Sequence, residues 1–145
     1  MNLILKSIII GLVIISSFVI FSSCNDEELG GMEWTISNSN PEDITVQNDG
    51  DAQISITVGT KGGEVVLTCS NYNNLKFHLW NDKEETYYES NIGTFSVTTN
   101  KVKCTFPEQT SNDEYDGELY KISAKSGDKT VNTVLQVNRT PATAQ

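Results

Sequence analysis

The 145-residue chain is predicted to hold a single all-β sandwich of seven or eight strands. Three observations predict it. Beyond residue 24, apolar and polar residues alternate with a period of two, and no stretch repeats with helical spacing. Turn-forming residues recur about every eight to twelve positions, the spacing of a sandwich. About 100 residues follow the N-terminal region, enough for one core and too few for two.

The strands follow in order. Ile54, Ile56 and Val58 form the first inward set, and the glycine-rich turn at 59–63 leads into a strand carrying Val65, Leu67 and Cys69 on one face. A polar turn of asparagines at 71–74 precedes Leu75, Phe77 and Leu79, which face inward, while Lys76, His78 and Trp80 face outward. After the polar segment 81–85 come Tyr87 and Tyr88, then Phe95 and Val97 alternating with Thr94, Ser96 and Thr98. Asn100-Lys101 turns into the strand of Val102, Cys104 and Phe106. A long acidic loop at 107–117 delivers Tyr120, Ile122 and Ala124, and Ser126-Gly127-Asp128 turns into a last strand with Val131, Leu135 and Val137 on one face. Trp34, Ile36, Ile44 and Val46 form either a further strand or a β-like stretch of tether.

Cys69 and Cys104 are an even pair, both pointing into the core by strand parity. In an oxidising compartment they are candidates for a disulfide, which in the chain-entropy account would add roughly 4 kcal/mol. The alternative is two buried free thiols acting as small hydrophobes. A redox-active pair is disfavoured, because there is no Cys-x-x-Cys spacing and no helix N-terminus to lower a thiol pKa.

The N-terminal region sets the address. Lys6 precedes an almost unbroken apolar run over residues 8–21, and the small residues Ser22 and Ser23 stand directly before Cys24. The pattern resembles a bacterial lipobox, which implies that residues 1–23 are removed and that Cys24 is lipidated, a permanent membrane anchor. A retained membrane-spanning segment is the competing reading. Asn25-Asp26-Glu27-Glu28 resembles the acidic surface-export signal of Bacteroidota lipoproteins, so the expected location is the outer membrane, at the cell surface or on the periplasmic face. Residues 24–42 read as an acidic flexible tether rich in Asp, Glu, Gly, Asn and Ser, and residues 43–145 as the folded domain.

Charge narrows the partners. The formal net charge is −9, and loss of Lys6 makes the mature chain more negative. The few lysines are scattered among twice as many carboxylates, which argues against nucleic acid, whose phosphates need a basic stripe. The same balance disfavours docking by charge onto anionic lipid.

The succession Thr60-Lys61-Gly62-Gly63-Glu64-Val65-Val66-Leu67-Thr68, then Ser70-Asn71, an aromatic near Trp80, Gly117-Glu118-Leu119-Tyr120-Lys121-Ile122 and Val134-Leu135-Gln136-Val137 is similar to BACON domains, immunoglobulin-like sandwiches of Bacteroidota. It spans roughly residues 54–137. The departures are Leu75 or Phe77 where the family usually has tryptophan, and the cysteine pair. The resemblance implies extracellular placement and a role in binding carbohydrate or mucin, or that of a spacer.

Chemistry is sparse. His78 is the single histidine, so a Ser-His-Asp triad or histidine-rich metal site has almost no material. Glu84-Glu85 and Asp113-Glu114 are adjacent acids on polar loops, where carboxylates are ordinarily solvated. Asn112-Asp113-Glu114-Tyr115-Asp116-Gly117 partly imitates a calcium loop but has Ser123 where the bidentate glutamate belongs. No enzyme activity and no cofactor are expected. The candidate ligand platform is Trp80 with His78, Asn81, Tyr87 and Tyr88, of which one of the adjacent tyrosines points into the core by strand parity: flat rings stack on sugar faces, and Asn81, Asp82 and Glu84 offer partners to hydroxyls. Exposed aromatics also suit a protein partner in a structural or adhesive assembly, for which an open edge at 130–137 would be a second route. The bland reading of Trp80 is a cap on the core beneath the 81–85 loop.

Overall fold

A computed structural model describes residues 27–49, 52–110 and 117–142. Cys24, residues 1–23 and most of the calcium-like loop, residues 112–116, lie outside the described residues. The fold is all-β and built of two sheets, as expected, with more strands than expected because short edge segments pair as well.

The five-stranded sheet runs β2 (Trp34–Asn38), β5 (Gly63–Cys69), β10 (Lys101–Phe106), β9 (Thr94–Thr98) and β8 (Tyr87–Glu89). The seven-stranded sheet runs β3 (Ile44–Asp49), β4 (Gln53–Val58), β12 (Lys129–Arg139), β11 (Glu118–Ser126), β6 (Lys76–Leu79) and β7 (Glu84–Glu85), with β1 (Glu27–Leu29) added to β12. The order β2-β5-β10-β9 against β12-β11-β6 is the A-B-E-D against G-F-C arrangement of immunoglobulin-like sandwiches. The fold assignment rests on this connectivity.

Alternation places the core where the sequence predicts it. Ile54, Ile56, Val58, Val65, Leu67, Phe77, Phe95, Val102, Phe106, Tyr120, Ile122, Leu135 and Val137 are all buried. At its centre the sheets are joined by aromatic rings. Phe77 and Tyr120 from one sheet meet Phe95 from the other, with centroids 5.7 Å apart for Phe77–Phe95 and 4.8 Å for Phe95–Tyr120. Phe106 and Tyr88 approach this cluster edge-on.

The glycine turn before β5 does what its sequence requires. Gly62 has φ +78°, and a Cβ there would lie 2.1 Å from the Phe106 carbonyl oxygen. Its N–H donates to Asp43 Oδ2 at 2.6 Å, while Asn40 Nδ2 donates to its carbonyl at 2.8 Å.

Three expectations are corrected. First, the predicted tether at 24–42 is part of the fold from Glu27 onward. β1 pairs in parallel with β12, and β2 pairs with β5. Met32 is fully buried, Trp34 and Ile36 pack against the core, and Trp34 Nε1 donates to Thr133 Oγ1 across the sheets at 3.0 Å. The segment looks polar because its strands lie along sheet margins and bury only one face. Second, Cys69 and Cys104 are free thiols. They lie on neighbouring strands of the same sheet, where Cys104 stands opposite Val65 and Cys69 bonds to Asn100. Four positions of register separate them by about 13 Å, well beyond disulfide reach. Both sulfurs do face the core, and burial pushes the Cys104 thiol far above its ordinary range. Third, residues 130–137 form no open edge, because β12 is flanked by β11 on one side and by β1 and β4 on the other.

Candidate functional site

The strands that build the core carry a different set of side chains on their outer face. On β11, Lys121 and Ser123 alternate with the inward Tyr120, Ile122 and Ala124. On β6, Lys76 and His78 flank the inward Phe77. The two strands pair antiparallel, with Lys121 opposite His78 and Ser123 opposite Lys76. A cleft of about 670 Å³ lies over this pairing, extended by Glu84 of β7, Lys125, Thr130 and Glu27 of β1.

Its interior is a connected set of donors and acceptors. His78 Nε2 and Ser123 Oγ are hydrogen-bonded at 2.9 Å. Lys121 is nearly buried, and its Nζ donates to Asp82 Oδ1 at 2.5 Å, a carboxylate that remains half exposed. Lys76 and Glu84 pair at 3.0 Å on the exposed side, and Lys125 Nζ donates to Thr130 Oγ1 at 3.1 Å. Burial, helped by the Lys121 ammonium, lowers the His78 pKa from its ordinary 6.5, with Glu84 and Asp82 opposing. The imidazole is therefore neutral near pH 7. Asn74 and Asp82, which also line the cleft, hold the left-handed backbone at φ 56° and 65°. Asn and Asp tolerate this conformation better than other side chains.

The Ser123–His78 pair has the distance of a nucleophile and its base but not the surroundings. Ser123 sits in mid-strand, flanked on both sides by paired strands, so a helix terminus or free loop amides do not supply an oxyanion hole. The Asp82 carboxylate is given to Lys121 and not to the imidazole, which Asp82 meets through its backbone. The arrangement is suited to holding a polyhydroxylated or polar ligand by hydrogen bonds. Among the described residues no cluster of His, Cys, Asp and Glu is placed to hold a metal ion.

The predicted aromatic platform is divided by the fold. His78 lies in the cleft, and Trp80, 42 % exposed, opens the turn that follows β6. Tyr87 is 58 % exposed but lies on β8 of the other sheet, opposite Ser96. Tyr88, opposite Phe95, turns inward and meets Tyr120 edge-on at 5.9 Å. The cause is a change of sheet between Glu85 and Tyr87, where Thr86 already accepts a hydrogen bond from Val97 of β9. Asn81 is not a free ligand group, since its side-chain oxygen accepts the Lys83 N–H within the turn. Lys121 and Ser123 are not among the ligand candidates read from the sequence. Their signal was present, as the polar members of an alternating strand, but their partners become visible only with the β6–β11 register.

The chain matches no family model and no curated protein. Among solved structures it is similar to the NMR structure of a protein from Bacteroides thetaiotaomicron, at 12% identity over 77% of this chain and 89% of that one, with a TM-score of 0.43. It is also similar to titin domain M7, at 11% identity over 67% of this chain and 93% of that one, with a TM-score of 0.38.

Proposed function

We propose that the chain is a lipid-anchored protein of the cell envelope, held through Cys24, whose sandwich is a non-catalytic module that binds carbohydrate. The observation that carries this reading is the cleft over β6 and β11. It is concave, rests on paired strands, and presents donors and acceptors of both signs from Lys121, Asp82, His78, Ser123, Lys76 and Glu84. Such opposed groups match the vicinal hydroxyls of a sugar, and Trp80 in the adjoining turn offers an exposed ring for its apolar face. The similarity of residues 54–137 to BACON domains supports the same class of ligand. The test is a glycan array probed with residues 25–145, which keep β1 and β2, alongside Trp80→Ala. A defined hit weakened by the substitution in a folded protein supports the reading, and a blank array counts against it.

A second reading is a structural or protein-interaction module, the role that an immunoglobulin-like fold by itself accommodates. It is favoured by Tyr87, more exposed than Trp80 and the most exposed large apolar side chain among the described residues, on the outermost strand of the five-stranded sheet. Under that reading Tyr87→Ala, not Trp80→Ala, would abolish partner capture.

A further inference from the structure

The strand β1 fixes how far the sandwich can stand from its membrane anchor. Only Asn25 and Asp26 separate Cys24 from Glu27. Three peptide steps reach at most about 11 Å, whatever their conformation. An acylated cysteine sits within the headgroup layer, about 5–8 Å thick, so Glu27 stands at most about 11 Å above the surface of the bilayer. A free tether through residue 42 would instead give a root-mean-square reach of about 21–25 Å.

β1 is firmly held at the other side of this short link. Gly30 N donates to Asn132 O at 2.9 Å, Asn132 Nδ2 donates to Glu28 O at 3.2 Å, and Lys129 pairs with Glu28 at 2.8 Å. Asn71 then clips the following backbone, donating to Gly31 O at 2.8 Å and accepting from Glu33 N at 2.9 Å, just where Met32 enters the core.

The register sets the direction. β1 runs parallel to β12 with Glu27 beside Thr130, so the chain enters at the end of the sandwich that carries the β11–β12 turn. The β5–β6 loop and the β9–β10 turn lie at the same end, joined by the hydrogen bond from Leu75 N to Thr99 O at 2.9 Å. The Gly62 turn and the Ser90–Gly93 turn lie at the opposite end.

Resting on the lipoprotein reading of Cys24, we propose that the sandwich docks end-on against the lipid surface that anchors it, with the turns at 126–129, 70–74 and 99–100 against the headgroups. The Gly62 end points away from the membrane. The cleft, lined by Glu27, Asn74, Lys125 and Thr130, then opens beside the headgroup layer.

The test uses the full lipidated protein, purified from membranes and returned to phosphatidylcholine vesicles that contain lipid with a nitroxide on its headgroup. A thiol-reactive fluorophore is placed at Asp128→Cys in one sample and Lys61→Cys in another; both sites are exposed, and Cys69 and Cys104 are buried. The expected result is several-fold stronger quenching at 128 than at 61, with the difference removed by inserting about twenty Gly/Ser residues between Asp26 and Glu27. Equal quenching at the two sites, or stronger quenching at 61, in a protein whose mass shows the acyl groups would overturn the docking alone. A membrane-purified chain without acyl groups would overturn both the docking and the lipoprotein reading.

Discussion

The strands β6 and β11 present two faces with opposite tasks. Inward, Phe77, Tyr120 and Ile122 join the aromatic cluster that holds the sheets together. Outward, one residue away along the same backbone, His78, Lys121 and Ser123 form the polar floor of the cleft. The contrast teaches that the site's rigidity is inherited from the core beneath it. A strand side chain on one face cannot shift register without exchanging both faces, so the packing that fixes Phe77 also fixes His78.

If the two tasks are separable, substitutions on the two faces should give different signatures. The largest stability effect is expected from Phe95→Ala, which empties the centre of the ring cluster and should lower the unfolding free energy by about 3–5 kcal/mol, read by chemical denaturation. Gly62→Ala follows, at about 3 kcal/mol, because it combines a left-handed backbone with a clash against the Phe106 carbonyl. On the outer face, Lys121→Ala should cost only about 1 kcal/mol, since its partner Asp82 is half exposed and regains water, yet it should reduce ligand binding at least about tenfold. Tyr120→Phe sharpens the inner side of the comparison. The Tyr120 hydroxyl is buried and has no hydrogen-bond partner among the described residues, so its removal should leave the fold unchanged or stabilise it by about 1 kcal/mol.

The outer face should also respond to pH where the core does not. The pKa of His78 is depressed in the fold, so the unfolded chain takes up the proton first as acidity rises. The stability associated with neutral His78 is complete above pH 6.5 and is lost as pH falls through 6.5 toward the folded value. Denaturation midpoints measured across this window should decline in the wild type and less so in His78→Gln.

The alternation of β5, β10 and β11 was legible because these strands are flanked on both sides and bury a full face, so every second residue is apolar. β1 was not, and β2 was legible only as one of two alternatives, since their segment carries its stabilisation in scattered residues such as Met32 and Trp34 and in backbone pairing that leaves little trace in composition. Inward parity of Cys69 and Cys104 was also legible, but the distance between them depends on a register that parity does not contain. A thiol titration should accordingly find neither cysteine of residues 25–145 reactive in the native state and both after unfolding. The aromatic platform is divided for a related reason: Trp80 and Tyr87 are close in sequence, but the chain changes sheets between them.

The most direct test of the central claim is a glycan array run in parallel with wild type, Lys121→Ala and Tyr87→Ala, each confirmed folded. Carbohydrate binding at the outer face of β6 and β11 predicts a defined hit that is lost with Lys121→Ala and kept with Tyr87→Ala. Binding that survives Lys121→Ala and disappears with Tyr87→Ala would contradict it and move the site to the five-stranded sheet.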